Sequence, residues 1–424
     1  MKQIKRGLNN QIVNEIKPLE FLMLAGLFLS ALTLPLIDCR LPGNLGGMRI
    51  SDFLALLTGS IFVGRYCYQS LVKRKLQPII WPLGQYWFFF LAAILISSAL
   101  GAWPIESIKY SLKTIIFAYL FYIVVPANLV NTWQKWRWLL WGVIIAGIGS
   151  SLVGLWSLTQ QSFSDIFFRV QPTSLWGHWW LGYNHNLIAE FLVVSNMFLL
   201  AARGLVKNKT RQHWLDIIFF FCLILTLLTF SRAAWITTAL QLVIWWFFLK
   251  NSRQKIGWLL MGGILVILAL PLWLRMGDLQ VSNFSSTENR ALLLQISIDN
   301  FIQQPLFGLG SGQYLRMVGN NLRFTAKYGD PIDSHGIIQK LIAENGLIGL
   351  LTYFILFFAL VKYWLKLWRD NQDSEAWIIP LVLGSFGGLF FQFFNTSYYK
   401  GRVWLPVALT LIVGQLIKYD QKRK

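Results

Sequence analysis

A succession of apolar runs, each about 20 residues long, constrains this chain more than any other feature. That is the length an α-helix needs to cross the hydrocarbon core of a bilayer. Within lipid, only helices and closed barrels satisfy every backbone N–H and C=O. The runs fall near 18–37, 50–71, 81–101, 111–131, 138–159, 183–203, 214–231, 233–250, 256–274, 337–361, 376–395 and 402–417. They predict an all-α polytopic membrane protein of about 12 transmembrane helices, a single integral domain over 1–424. A large outer loop, 275–335, separates spans 9 and 10 in this reading.

Composition supports the same class, because charged residues make up only 13% of the chain against about a quarter in a soluble domain. A net charge of +20 would suggest nucleic acid in a soluble protein. Here the basic residues sit between apolar runs, so they report topology and contact with membrane lipids, and no nucleic-acid partner is expected. The basic first seventeen residues lead into a span-length run without a small-residue cleavage signature, which reads as a retained first helix. Cys39, Cys67 and Cys222 share no metal-binding spacing, and neither a disulfide framework nor a metal site is expected.

Alternate connections carry the short basic clusters, among them Lys73-Arg74-Lys75, Arg203 to Arg211, Lys250 to Lys255 and Lys418 to Lys424. The positive-inside rule then puts both termini in the cytoplasm. Arg169, Arg232, Arg275, Arg290, Arg316, Arg323, Lys327, Lys400 and Arg402 are left on the outer face, where topology does not demand them. Cations gathered on one outer surface suggest an anionic ligand; the plainer alternative is loop charge balanced by Asp278, Glu288, Asp299, Asp330 and Asp333.

Four stretches carry polar chemistry. At the mouth of the sixth run, His185, Asn186 and Glu190 share one helix start, and polar groups at a span entrance face a bundle interior or a water-filled cavity. Capping by Asn184 is the structural alternative. Ser231-Arg232 sits at a short outer hairpin, where an arginine must snorkel or meet an anion, and its planar fork of donors suits phosphate. In the long loop, Ser285 to Glu288 reads as a capping box before an amphipathic helix that presents Arg290 in its first turns, close to free backbone amides. Pairing with Glu288 is the alternative for Arg290. Pro305-Leu306-Phe307-Gly308-Leu309-Gly310-Ser311-Gly312 lacks the Lys-Ser or Lys-Thr of a phosphate loop and reads as a turn for close backbone approach. His335-Gly336 is followed by Lys340, Glu344, Gly346 and Gly349. Ala343, Gly346 and Gly349 form a small-residue helix face for tight packing, and a histidine such as His335 ordinarily titrates near neutrality, so it can accept a proton from an attacking hydroxyl. A capping or interfacial histidine without chemistry is the alternative.

Taken together, the Ser231-Arg232 hairpin, the Arg290 to Gly310 segment and the His335, Gly346, Gly349 motif resemble the O-antigen ligase and polymerase superfamily of bacterial membrane glycosyltransferases. The likeness spans roughly residues 180 to 360, with Gly336 standing where the ligase-type motif usually shows Asn, Ser or Gln. The resemblance implies inverting, metal-independent transfer of a glycan from an undecaprenyl-diphosphate-linked donor, without cofactor, at the outer face of the bacterial cytoplasmic membrane. The acceptor would be a glycan, lipid or protein. By the same likeness, Arg232 and Arg290 hold the leaving diphosphate and His335 activates the acceptor hydroxyl, while His185, Asn186, Glu190 and Glu344 are candidate donor or acceptor contacts. The rival from another class is a transporter or flippase of lipid-linked sugars, for which Arg65 within the second span is the main sequence argument. A metal-dependent oligosaccharyltransferase is disfavoured, since the first outer loop offers Asp38 without a carboxylate cluster.

Overall fold

Apolar runs that can leave no backbone group unpaired in lipid become helices, and the computed structural model is all-helical, with no β-strand among the described residues. These are residues 18–37, 48–72, 74, 78–162, 168–174, 178–249, 252, 255–258, 262–263, 280–372, 375–396 and 398–422. The first eight helices are α1 (Pro18–Leu32), α2 (Ile50–Leu71), α3 (Gly84–Leu100), α4 (Pro104–Leu129), α5 (Trp133–Thr159), α6 (His185–Leu205), α7 (Lys209–Leu227) and α8 (Arg232–Phe248). The long loop supplies α9 (Gln280–Gln303), α10 (Tyr314–Gly319) and α11 (Leu322–Tyr328), and the chain ends in α12 (Ile337–Arg369), α13 (Glu375–Phe391) and α14 (Gly401–Lys422). Seven of them, α2, α4, α5, α6, α7, α12 and α14, are long and apolar enough to cross a membrane, and α1, α3 and α13 are shorter apolar helices. The expected span at 256–274 falls mostly outside the described residues.

The bundle is built around α6. Its most apolar window is 83% buried and that of α14 78%, whereas that of α2 is 22% buried, so α2 lies at the rim. Aromatic rings fill the centre: Trp87 on α3 stacks on Tyr119 of α4 at 4.5 Å and meets Trp404 of α14 edge-on at 4.6 Å, geometries the ring quadrupole favours. In α4 the turns Leu112–Ile116 and Leu120–Val124 widen to π-helix. Just before the first of them Ser111 Oγ lies 2.9 Å from Ser98 Oγ on α3, and Tyr122 in the second donates its hydroxyl to Asp52 Oδ1 on α2 at 2.7 Å.

The long loop differs from expectation at its start. The described helix α9 begins at Gln280, so Ser285 lies inside it and the Ser285–Glu288 pattern does not mark its first turn. Arg290 is therefore mid-helix, away from free N-terminal amides, and any hold on an anion must come from its own guanidinium.

The glycines also act differently from a smooth packing face. Helix α12 is broken at Gly346, with φ 61° and ψ −159°, a region essentially closed to any residue with a Cβ. The Pro305–Gly312 turn is seated in this break. Leu309 N and Gly310 N donate to the Ala343 and Glu344 carbonyls at 3.1 and 2.8 Å, while Leu347 N and Ile348 N donate to the Pro305 and Leu306 carbonyls at 2.8 and 3.3 Å. The loop thus takes over the hydrogen bonds that a continuous helix would make with itself. Gly308 permits the approach, since a Cβ there would sit 2.6 Å from Glu344 C. From α3, Ser97 Oγ reaches the Phe307 and Glu344 carbonyls at 2.5 and 3.0 Å, and Asn345 Nδ2 donates to Ser97 Oγ and Ser311 Oγ at 3.1 and 2.8 Å. Beyond the break, Leu347–Arg369 alone is about 34 Å long, enough to span. The segment Ile337–Asn345 is then free to serve as a separate half-helix.

Gly346→Ala should test the seat of this loop. The new Cβ would lie 2.5 Å from Leu306 backbone atoms at a strained φ, and the loss should be on the order of 3 kcal/mol. A large fall in the thermal midpoint of the detergent-purified protein is expected, with little change for Gly64→Ala, whose Cβ would meet nothing within 4 Å. Equal midpoints for the two variants would contradict this account.

Candidate functional site

Three chain segments meet at the end of the bundle where α6, α8 and α12 begin. Asn184 caps α6, its Oδ1 accepting from Asn186 N at 2.9 Å, as the capping alternative anticipated. Ser231 caps α8, and its hydroxyl also donates to Asn186 Oδ1 at 2.6 Å, so the two helix starts are tied together. The tie is reached through Phe230 in a left-handed turn with φ 52°. Arg232 follows immediately and is exposed at this junction.

Arg290 comes from α9, which docks on the first half of α12. Leu293, Ser297 and Asn300, at i+3, i+7 and i+10 from Arg290, share one face. Leu293 is buried, Asn300 Nδ2 donates to the Ala343 carbonyl at 2.9 Å, and Ser297 Oγ lies 3.1 Å from Tyr314 OH. Tyr314 OH in turn accepts from Gln339 Nε2 at 2.8 Å, and Gln339 Oε1 accepts from His335 N at 3.3 Å. One hydrogen-bonded line therefore runs from the helix that carries Arg290 to the backbone of His335. The carboxylate of Glu288 is engaged by Lys327 at 2.6 Å, so Arg290 is not its partner.

Among the described residues neither Arg232 nor Arg290 has a hydrogen bond or ion pair. Yet they lie close enough that the charge of Arg232 adds to partial burial in lowering the Arg290 pKa. Arg290 and Arg169 also act electrostatically on His185. The like charges of Arg232 and Arg290, gathered at one place, make a surface that favours an anion.

His335 stands on the extended approach to α12. Asp333 anchors this approach by accepting from Lys340 Nζ at 2.7 and 2.8 Å and from Ser334 N at 2.9 Å. The Ser334 carbonyl accepts from Thr396 Oγ1 at 2.8 Å, and Ile337 N donates to the Gln392 carbonyl at 2.8 Å. Gly336 is pressed against the end of α13, where a Cβ would come within 2.6 Å of Phe393 O, which accounts for glycine at a position the ligase-type motif fills with a polar side chain. Burial first, and the Arg290 charge second, push the His335 pKa down to about 4, with Asp333 opposing. The imidazole is therefore neutral across the physiological range, the state in which it accepts a proton.

The carboxylates proposed as ligand contacts are used inside the protein. Glu190 is 2% exposed, pairs with Arg402 Nη2 on α14 at 2.8 Å and accepts from Gln392 Nε2 and Asn395 Nδ2 at 2.9 and 3.0 Å. Glu344 is 1% exposed, and its Oε1 accepts from Tyr314 N at 3.1 Å beside Lys340 at 3.9 Å. Both sit where an acidic side chain ties helices together, because a buried carboxylate costs several kcal/mol unless paired. Sequence reasoning did not single out Tyr314, Gln339 or Asp333; Asp333, two residues before His335, was the most visible of them. Among the described residues no group of three or more His, Cys, Asp or Glu side chains comes together.

The helices and the family likeness point to a multi-pass membrane protein, with a cation-rich site at one end of the bundle. Residues 217–354 match the family model described as O-antigen ligase, which supports the O-antigen ligase superfamily for this chain. The matched stretch contains Arg232, Arg290, the Pro305–Gly312 turn and His335. No curated protein matches the chain.

The lowered His335 pKa can be checked by titrating its ring signals by NMR in protein labelled at the four histidines. A midpoint near pH 4 is expected, moving up toward the ordinary value of about 6.5 in Arg290→Gln as the second cause is removed. Since folding lowers this pKa, the unfolded chain holds more protons between those values. The His335 contribution to stability is then complete above about pH 6.5 and is lost as pH falls toward 4. A midpoint of 6.5 in the wild type would remove the electrostatic link between the two residues.

Proposed function

We propose that this protein transfers a glycan from an undecaprenyl-diphosphate-linked donor to an acceptor hydroxyl at the outer face of the bacterial cytoplasmic membrane, with both termini in the cytoplasm. The observation that carries the reading is the pair of close guanidinium groups, Arg232 and Arg290, without counter-ions among the described residues and beside a neutral histidine. A diphosphate is the anion such a pair suits, because each planar fork can donate two hydrogen bonds to phosphate oxygens. The likeness to O-antigen ligases supports the same chemistry.

In the proposed step, the acceptor O–H gives its proton to the free ring nitrogen of His335 while its oxygen bonds to the anomeric carbon of the donor. The bond from that carbon to the phosphate oxygen breaks, and its electron pair leaves with the diphosphate. Charge grows on the leaving oxygens, which Arg232 and Arg290 stabilise more in the transition state than in the ground state. A single displacement inverts the anomeric configuration. It needs no metal ion for the leaving group if the arginines carry that charge, and a chelator should leave the rate unchanged.

Removing one guanidinium, as in Arg290→Ala or Arg232→Ala, should lower transfer about 10²- to 10³-fold while the thermal midpoint holds. His335→Ala should lower it about 10²- to 10⁴-fold and leave donor binding nearly intact. Wild-type turnover in either variant would sink the role given to that residue. Supplied with labelled lipid-linked glycan, a polymerase lengthens the label on its carrier and a ligase moves it to another acceptor. A flippase, the competing class, moves the lipid across the bilayer with no new glycosidic bond.

A further inference from the structure

A second polar site lies at the other end of the bundle. Its walls come from the start of α1, the end of α2 and the link from α4 to α5, and its cavity of about 110 Å³ is lined by Glu20, Arg65, Tyr66, Gln69, Asn128 and Asn131 among others. The neighbouring chain locates it: Trp133 Nε1 at the start of α5 donates to Asp420 Oδ2 at the end of α14 at 2.9 Å, whereas His185 and Arg402 stand where α6 and α14 begin. The cavity and the His335 site therefore occupy opposite ends.

Its charges do not cancel. Glu20 is taken by Lys135, which also donates to Asn131 Oδ1 at 2.7 Å, and Asn128 is spent on the backbone of Ile80 and Val124. That leaves Arg65, half-buried within a helix long enough to span, with Gln69 one turn further on the same face and Tyr66 beside them. None of these three side chains makes a hydrogen bond or ion pair with a described residue. An arginine at such a depth is retained where a partner meets it. Here the protein offers a guanidinium, an amide and a hydroxyl around a space suited to a tetrahedral anion, without a free carboxylate to oppose it.

We propose that this cavity binds a phosphate group, with Arg65 as its principal ligand and an anionic phospholipid headgroup as the natural source. Arg65 lies about 9 Å before the end of α2, within reach of a headgroup phosphate for a long side chain that snorkels. In sequence the basic residues Lys17, Lys73, Arg74 and Lys75 flank the two helix ends that form the cavity, as expected of a segment facing anionic lipid. The orientation proposed above makes this the cytoplasmic leaflet, and the site itself does not depend on that assignment. An arginine occupied by a phospholipid at one end of the bundle also removes the argument it lent to a transport pathway through the centre.

The test is native mass spectrometry of the full-length purified protein titrated separately with phosphatidylglycerol, phosphatidylcholine and inorganic phosphate. Phosphatidylglycerol should be retained by the wild type and by Arg65→Lys, and bind about ten- to a hundredfold more weakly to Arg65→Gln, the loss of one charge-assisted contact. Phosphatidylcholine, with no net charge, should bind weakly to all three. Binding of inorganic phosphate that Arg65→Gln abolishes, with no matching retention of phosphatidylglycerol, would keep the site and make its source soluble phosphate. Equal retention of phosphatidylglycerol by wild type and Arg65→Gln overturns the proposal, as does equal retention of the two lipids by the wild type. Should Arg65→Gln fail to fold, Glu20→Gln gives the opposite sign: it releases Lys135 toward the cavity and should tighten phosphatidylglycerol binding, and unchanged or weaker binding would refute the site. Lipid retention is read without glycan transfer, so failure here leaves the proposed function untouched and the reverse also holds.

Discussion

The end of the bundle that carries His335 depends on an exchange of backbone hydrogen bonds between a loop and a broken helix. Where α12 breaks at Gly346, its freed carbonyls and amides would be left unpaired in the protein interior, at a cost of about 1–3 kcal/mol for each buried group. The Pro305–Gly312 turn supplies both donors and acceptors in their place. Non-helical backbone in an apolar bundle is tolerated where protein surrounds it, and Ser97 of α3 closes the arrangement from the other side. The same seat sets the start of α12, and with it the approach that carries His335.

Charge follows a simple division around this seat. Charges that are buried find partners: Glu190 with Arg402, and Lys340 with the half-buried Asp333. Such pairs tie α6 to α14 and the His335 approach to the half-helix, and removing one member would strand the other in a poorly solvating interior. The arginines of the hairpin and of α9 stand outside this pairing, at the exposed edge where three segments meet. Pairing, more than the number of charges, separates residues that hold the fold from residues left for a ligand. Arg65 passes the same criterion at the opposite end of the bundle.

Much of this was open to the sequence. Helices are dictated locally, since a run of apolar residues in lipid has no other way to satisfy its backbone, and the runs outside 256–274 all coincide with helices. Arg232, Arg290 and His335 stood out as polar groups that neither topology nor packing required, and the glycines of the loop were rightly read as sites of close backbone approach. What the sequence hid was long-range. The pattern Ala343, Gly346, Gly349 fits a packing face and a helix break equally well, and the loop some 40 residues earlier makes it a break. Ser285 to Glu288 is a capping box by spacing alone, yet the helix had already begun at Gln280. Glu190 and Glu344 looked like ligand contacts because a carboxylate in an apolar chain needs a partner. Only the tertiary structure decided that those partners were Arg402, Gln392, Asn395 and the backbone of Tyr314, since a hydrogen bond between residues 30, 202 or 205 positions apart leaves no local mark on either.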